Sequence, residues 1–354
     1  MIKRWKRAAA LGLALAAMPF AALAQRTLTD MAGRRVAIPV RIRKVLGMSP
    51  TGTVLVYTFA PELLAGWNYQ PEAAELALIA ERFRPLPVIG GWYGKNNTGN
   101  LEVVVKSHPD LMISMGEAMG RSLADRVQEQ THIPVVMLDG GLKSLPAAYR
   151  MAGDLLGKQA RAEMLADYCQ KVLSEVGTKV KEIPPARRRR YYYGEGPKGL
   201  ETEPGESPHV ETVNFAGGVN VAAVPEQKGY GHSPVSMEQV LRWDPDIVLA
   251  GYDHSSVPGE FYRTVWQDPV WKLARAVKNR EIYEAPQYPF NWIDRPPSAN
   301  RIIGIVWLAN LFYPDVFAYD IRAEVRRFYG MFYQREPSER ELEQLLAPAA
   351  RRRP

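Results

Sequence analysis

The chain has 354 residues, 46% hydrophobic and 23% charged, enough apolar material for about two domains and too much for a disordered polymer. Its formal charge of +7 points towards nucleic acid only until the charges are placed. Lys3, Arg4, Lys6 and Arg7 lie at the start and Arg351, Arg352 and Arg353 at the end, and the remaining 38 basic residues are matched by 38 acidic ones. The body is neutral, which excludes the basic footprint of a nucleic-acid binder.

Residues 1–24 read as an export signal: a basic start, an apolar run from Ala8 to Leu23 broken by Pro19, and Ala22-Leu23-Ala24 as the small-x-small cleavage site. The run is shorter than the roughly 20 residues a spanning helix needs. Residue 25 is Gln, not Cys, so no lipid is attached after cleavage. The expectation is a periplasmic protein with no membrane anchor.

From residue 25 to 157 short apolar runs alternate with helical stretches. Val45–Met48, Leu63–Trp67, Val88-Ile89, Leu111–Ser114 and Val135–Leu138 read as strands, and Thr53–Phe59 and Leu101–Lys106 as helices. Residues 158–182 follow, with Leu165, Tyr168, Cys169, Val172, Leu173 and Val176 spaced at three and four, no Pro and one late Gly177. This predicts one continuous helix, long enough to join two lobes, with Cys169 as an inert core thiol. Residues 183–345 repeat the alternation, with strands at Tyr191–Tyr193, Ile247–Ala250 and Glu281–Tyr283 and helices at Val210–Ala216, Ser236–Arg242 and Ser298–Leu311. Residues 346–354 form a basic tail. The fold class is α/β: two lobes with mainly parallel sheets, bridged by one long helix, with a cleft between them.

Two motifs recur on either side of that helix. Asn100-Leu101-Glu102 leads to Pro109-Asp110-Leu111, and Ser236-Met237-Glu238 leads to Pro245-Asp246-Ile247, 136 positions later. With the opening Arg26–Asp30 and Gly33-Arg34, this pattern resembles the periplasmic substrate-binding proteins of ABC importers for ferric siderophores, haem and cobalamin. The resemblance covers most of the chain after residue 24. It implies that Glu102 and Glu238 dock onto a permease dimer that works with an ATPase. The bland reading of both is a carboxylate favoured near a helix N-terminus.

Loops at the carboxyl ends of strands build the cleft in such a fold. They hold Trp92, Tyr93, Tyr230, His232, Tyr252, Trp292 and Arg295, a set suited to an aromatic or oxygen-rich chelate. Trp92-Tyr93 and the Asn291–Arg295 loop resemble the cleft walls of cobalamin-binding relatives, whereas His232 stands where those carry Trp. Arg295 needs a counter-charge, either a carboxylate such as Asp294 or Glu195, or an anionic ligand. Of five histidines only His232 and His254 fall where they reach a ligand or metal, and no two lie at metal-ligand spacing. Gly194-Glu195-Gly196-Pro197-Lys198-Gly199 matches the dinucleotide fingerprint in letters, but Pro197, Pro204 and Pro208 bar the helix it requires.

The expectation is therefore a non-enzymatic, monomeric binding protein with no cofactor of its own. Its cargo would be a metal chelate, first an Fe(III) siderophore, with haem, a corrinoid, a nickel complex or a molybdate-type oxyanion as alternatives. An exported two-lobed metalloenzyme or metallochaperone is the reading from another class.

Overall fold

A computed structural model describes residues 25–93, 97–116, 120–225, 231–251 and 259–349. The expected signal segment, most of the basic tail, and the candidate residues Tyr230, Tyr252 and His254 lie outside the described residues.

An antiparallel hairpin, β1 (Gln25–Thr29) and β2 (Arg35–Pro39), opens the chain. Asp30 fixes its turn, accepting from the Arg34 N–H at 2.8 Å and from Arg34 Nε at 2.9 Å. The first lobe has a parallel sheet of β3 (Val45–Gly47), β4 (Leu111–Met115) and β5 (Val135–Leu138). Its helices are α1 (Pro50–Phe59), α2 (Ala73–Leu78), α3 (Leu101–Ser107), α4 (Arg121–Thr131) and α5 (Leu145–Leu156). Leu63–Trp67 and Val88-Ile89, expected as strands, form only single bridges, Val45 to Leu64 and Trp67 to Val88. Pro61 and Pro87, which lack N–H donors, bracket these runs and keep the pairing short.

The long helix forms as α6 (Gln159–Glu182), about 36 Å at 1.5 Å per residue. Its face of Leu165, Tyr168, Cys169, Val172 and Val176 is buried, and burial pushes the Cys169 thiol pKa well up, as expected of an inert core group. The second lobe has a parallel sheet in the order β11-β10-β6-β8, built from β6 (Arg190–Gly194), β8 (Val219–Asn220), β10 (Ile247–Ala250) and β11 (Ile282–Glu284). A small antiparallel ribbon pairs β7 (Glu201–Thr202) with β9 (Ser233–Pro234). The helices here are α7 (Glu211–Phe215), α8 (Met237–Trp243), α9 (Glu260–Gln267), α10 (Arg275–Lys278) and α11 (Asn300–Phe312). Two more follow, α12 (Ile321–Tyr333) and α13 (Glu339–Leu346).

The duplicated motif has the same geometry in both lobes. α3 and α8 each span seven residues and end on a left-handed residue, His108 at φ 49° and Asp244 at φ 46°. After the Pro, Asp110 ties β4 to the residues before β3 by accepting from the Arg43 and Lys44 N–H groups at 2.6 and 2.9 Å. Asp246 does the same for β10 and β6, accepting from the Arg190 N–H at 2.9 Å. The Pro-Asp pairs are scaffold, and their carboxylates register neighbouring strands.

The end of the chain packs differently from the expected boundary. α12, assigned by sequence to a second lobe at 183–345, lies against α1, α5 and α6 as well as α11. Tyr333 meets Tyr57 at 5.9 Å, Phe332 meets Tyr149 at 6.0 Å, and Phe328 meets Tyr168 at 6.2 Å. One continuous buried cluster thus contains Val45 and Ile113 of the first sheet, Tyr193 and Leu249 of the second, and the α12 aromatics. The amphipathic stripe of α12 has its apolar partners in both lobes, so it closes the junction rather than one lobe.

A shared core predicts shared unfolding. Phe328 is fully buried and stacks on Phe332 at 4.3 Å, so Phe328→Ala should lose about 3 to 5 kcal/mol. Urea titration followed by circular dichroism should show one transition moved to lower urea. Two separated transitions would mean that the lobes hold independent cores.

Candidate functional site

The carboxyl ends of the two sheets bring their loops together. From the second lobe, β6 delivers Glu195, the β7–β9 ribbon delivers Glu203 and His232, and the 285–299 loop after β11 delivers Asp294 and Arg295. The 194–199 segment turns without a helix: Glu195 and Glu201 exchange backbone hydrogen bonds at 2.7 and 3.2 Å, so the dinucleotide letters form a β-turn. Gly231, at φ 66°, lets the chain cross Glu203, because a Cβ there would stand 1.7 Å from Glu203 Oε1. Asn291 folds the last loop by accepting from the Ile293 and Asp294 N–H groups at 2.8 and 3.1 Å.

Arg295 lies at the centre of this wall. Its Nη2 donates to Glu195 Oε1 at 2.8 Å and Glu203 Oε1 at 2.9 Å, and its Nε lies 3.6 Å from Asp294 Oδ2. The side chains of Glu195, Glu203 and Asp294 are almost wholly buried, and Arg295 keeps 16% exposure. Protein carboxylates therefore supply the counter-charge that the sequence reading left open. Two histidines flank the wall: His209 Nδ1 meets Asp294 Oδ2 at 2.5 Å, and His232 Nδ1 meets Glu201 Oε2 at 2.8 Å. Three buried polar atoms in the wall make no hydrogen bond: Glu195 Oε2, Asp294 Oδ1 and Arg295 Nε.

Burial pushes the Glu195 carboxyl up to about 8, with Arg295 opposing and Glu203 adding to the rise. Burial thus biases Glu195 towards its protonated form, while Glu203 and Asp294 remain beside the Arg295 charge. Burial lowers His209, but the Asp294 hydrogen bond and charge outweigh it and raise its pKa. Asp294 is held below its ordinary value: burial raises it, and His209 and Arg295 overcome that.

The first lobe has a phenol cluster of its own. Asn68 is clamped by the Gly47 and Gly90 carbonyls at 2.8 and 2.9 Å, which sets the direction of Tyr69. Tyr69 donates to Glu75 Oε1 at 2.8 Å, and Tyr93 donates to the Asn68 carbonyl at 3.4 Å. Burial raises Glu75 to about 7 against its hydrogen bonds from the Glu72 N–H and Tyr69. Burial raises the Tyr288 phenol of the second lobe, and the charges of Glu72 and Glu75 add to the rise.

The predicted residues divide accordingly. His232 and Arg295 are brought together through Glu195, whereas Tyr93 is partly buried against Asn68 in the first lobe. Trp292, expected as a stacking wall, is fully buried and donates to Tyr329 at 3.2 Å, because α11 approaches so closely that a Cβ on Gly304 would stand 1.9 Å from the Trp292 carbonyl. Trp92 is likewise core, in one cluster with Leu46, Met48 and Val104, and Gly99 lies against its ring. Among the described residues no three His, Cys, Asp or Glu side chains are placed to hold a metal, His232 included. Sequence reasoning missed Tyr69, Glu75, Tyr288 and His209. Their only sequence signal is a position just after an apolar run or within an irregular, Pro-rich loop.

Glu102 and Glu238 stand apart from the cleft at matching places, each second in its helix after a capping Asn100 or Ser236. Both are exposed, 73% and 85%, and each faces a cation four residues on, Lys106 at 2.8 Å and Arg242 at 3.9 Å.

A family model described as Periplasmic binding protein matches residues 93–289. An ABC transporter solute binding protein from Sulfurospirillum deleyianum is 31% identical and superposes with a TM-score of 0.84, over 91% of this chain and 99% of that one. The Molybdate-binding protein MolA of Haemophilus influenzae is 25% identical over 90% of this chain and 94% of its own. The High-affinity heme uptake system protein IsdE of Staphylococcus aureus is 25% identical over 67% of this chain and 78% of its own. The chain belongs to the periplasmic binding protein family, the two-lobed binding components of ABC importers.

The buried wall makes stability pH-dependent. The folded chain holds the Glu195 proton between about pH 4.5 and 8, where the unfolded chain releases it, so this stability is lost as pH rises. His209, raised above 6.5, has the same sign: its contribution is full below that value and is lost as pH rises through its folded pKa. Urea midpoints should fall from pH 5 to 9, with a slope per proton of at most about 1.4 kcal/mol per pH unit. Glu195→Gln should flatten that slope between pH 5 and 8; an unchanged slope would place the coupled proton elsewhere.

Proposed function

We propose that the chain captures an oxygen-rich metal chelate in the interlobe cleft and hands it to a permease dimer driven by an ATPase. It does so without catalysis, in the periplasm, after export and cleavage at Ala24. The observation that supports the ligand reading is the Arg295 wall, where one guanidinium keeps 16% exposure among three almost wholly buried carboxyl groups. The exposed part of the guanidinium offers N–H donors to ligand oxygens, and the buried carboxyl groups hold it in place. Withdrawal of Trp92 and Trp292 into the core removes two stacking surfaces that a wide macrocycle would use, which favours a compact chelate over haem or a corrinoid. A ferric siderophore of compact size remains first choice. A molybdate-type oxyanion is the second reading, favoured by the relative named for molybdate.

Titration calorimetry with a ferric tris-catecholate and with sodium molybdate tests this. Whichever binds should bind Arg295→Lys about 1 to 3 kcal/mol more weakly, because the point charge keeps the sign but loses the planar fork. Wild-type affinity in that variant would assign Arg295 to the fold alone.

The matched, exposed positions of Glu102 and Glu238 support their proposed role as permease contacts, one per lobe. The double substitution Glu102→Ala, Glu238→Ala should abolish cargo uptake by cells while leaving cleft affinity unchanged. Unimpaired uptake would remove the docking role.

A further inference from the structure

A second buried arginine connects the two lobes behind the Arg295 wall. Arg301, in the first turn of α11, has a side chain only 3% exposed. Its Nη1 donates to Glu211 Oε2 of α7 at 2.9 Å, and its Nη2 donates to the Gly140 carbonyl at 2.6 Å. The same Glu211 oxygen accepts from the Leu142 N–H at 3.2 Å. Gly140 and Leu142 follow β5 in the first lobe, whereas α7 and α11 belong to the second. Two of these hydrogen bonds therefore cross the lobe boundary. Burial depresses the Arg301 pKa and Glu211 opposes it, the mark of a charge that needs its partner.

Gly140 passes the contact on. A Cβ added there would stand 2.6 Å from Gly116 Cα and 2.8 Å from its N, so the two backbones lie flat against each other. Gly116, at φ 95°, is the first residue after β4. One guanidinium thus fixes both the second-lobe helix that follows the Arg295 loop and, through Gly140, the carboxyl end of β4 at Gly116.

We propose that Arg301, with Glu211, is a positioning residue for ligand capture: it sets Gly116, at the carboxyl end of β4 in the first lobe, at a fixed distance from the Arg295 wall of the second. The inference rests on the cleft being the ligand site, but its geometry is testable without ligand. A lysine cannot serve both acceptors, because its single ammonium lacks the planar fork that spans Glu211 and Gly140.

The test is hydrogen–deuterium exchange on the ligand-free full-length chain after export. In Arg301→Lys, peptides covering 139–144 and 111–123 should both exchange at least about tenfold faster, a loss on the order of 1.4 kcal/mol of local protection, with α6 unchanged. Faster exchange confined to 139–144, or spread evenly through α6, would overturn the relay. Should Arg301→Lys fail to fold, Gly140→Ala decides, because it attacks only the contact with Gly116: faster exchange at 111–123 supports the proposal and no change overturns it. Calorimetry with ferric tris-catecholate and sodium molybdate is run on the same variants. Loss of loop protection with no binding of either probe by wild type would sink the ligand reading and leave the positioning geometry standing. Faster loop exchange with unaltered affinity for a probe that wild type binds would overturn the positioning role itself.

Discussion

The burial of one aromatic layer at the junction governs the rest of the molecule. Tyr57, Tyr149, Tyr168, Phe328, Phe332 and Tyr333 come from α1, α5, α6 and α12, and no single lobe covers them all. A three-stranded and a four-stranded sheet are each small for independent cores, and merging them gives both the apolar area they lack. The cost is freedom of movement. With α6 crossing on one side and α12 closing the junction, a large hinge motion would expose this layer to water, and bending α6 would break its backbone hydrogen bonds. The cleft is consequently fixed by folding rather than by ligand.

A fixed cleft explains why its wall tolerates so much buried charge. Three carboxylates around one guanidinium are costly to desolvate, and well-packed apolar residues in their place are often no less stable. Arg295 at φ 32° and His232 at φ 61° add backbone strain beside the same carboxylates. The rigid core supports this arrangement, in which three buried carboxyl groups hold one partly exposed guanidinium.

The architecture was legible where the pattern is local. The three- and four-residue spacing of α6 marked its buried face, and the repeated cap, Pro and Asp marked equivalent helix–strand units in each lobe. What failed was direction and long-range partnership. Trp292 beside Asp294 and Arg295 reads as a ligand wall, yet the indole turns inward because Gly304 admits the loop against α11 and Tyr329 accepts its N–H. The stripe Phe328, Tyr329, Phe332 and Tyr333 shows helical spacing, but nothing in sequence says that its partners are Tyr57 and Tyr149, far upstream. His209 lies in a Pro-rich irregular stretch, where only the 285–299 loop brings it to Asp294.

The central claim is that two lobes with a common core hold a preformed cleft. Small-angle X-ray scattering tests it most directly, on the chain without ligand and again when saturated with whichever of ferric tris-catecholate and molybdate it binds. The account predicts scattering curves that superpose, with an unchanged radius of gyration. A clear contraction on saturation, of the kind a hinge closure produces, would contradict it.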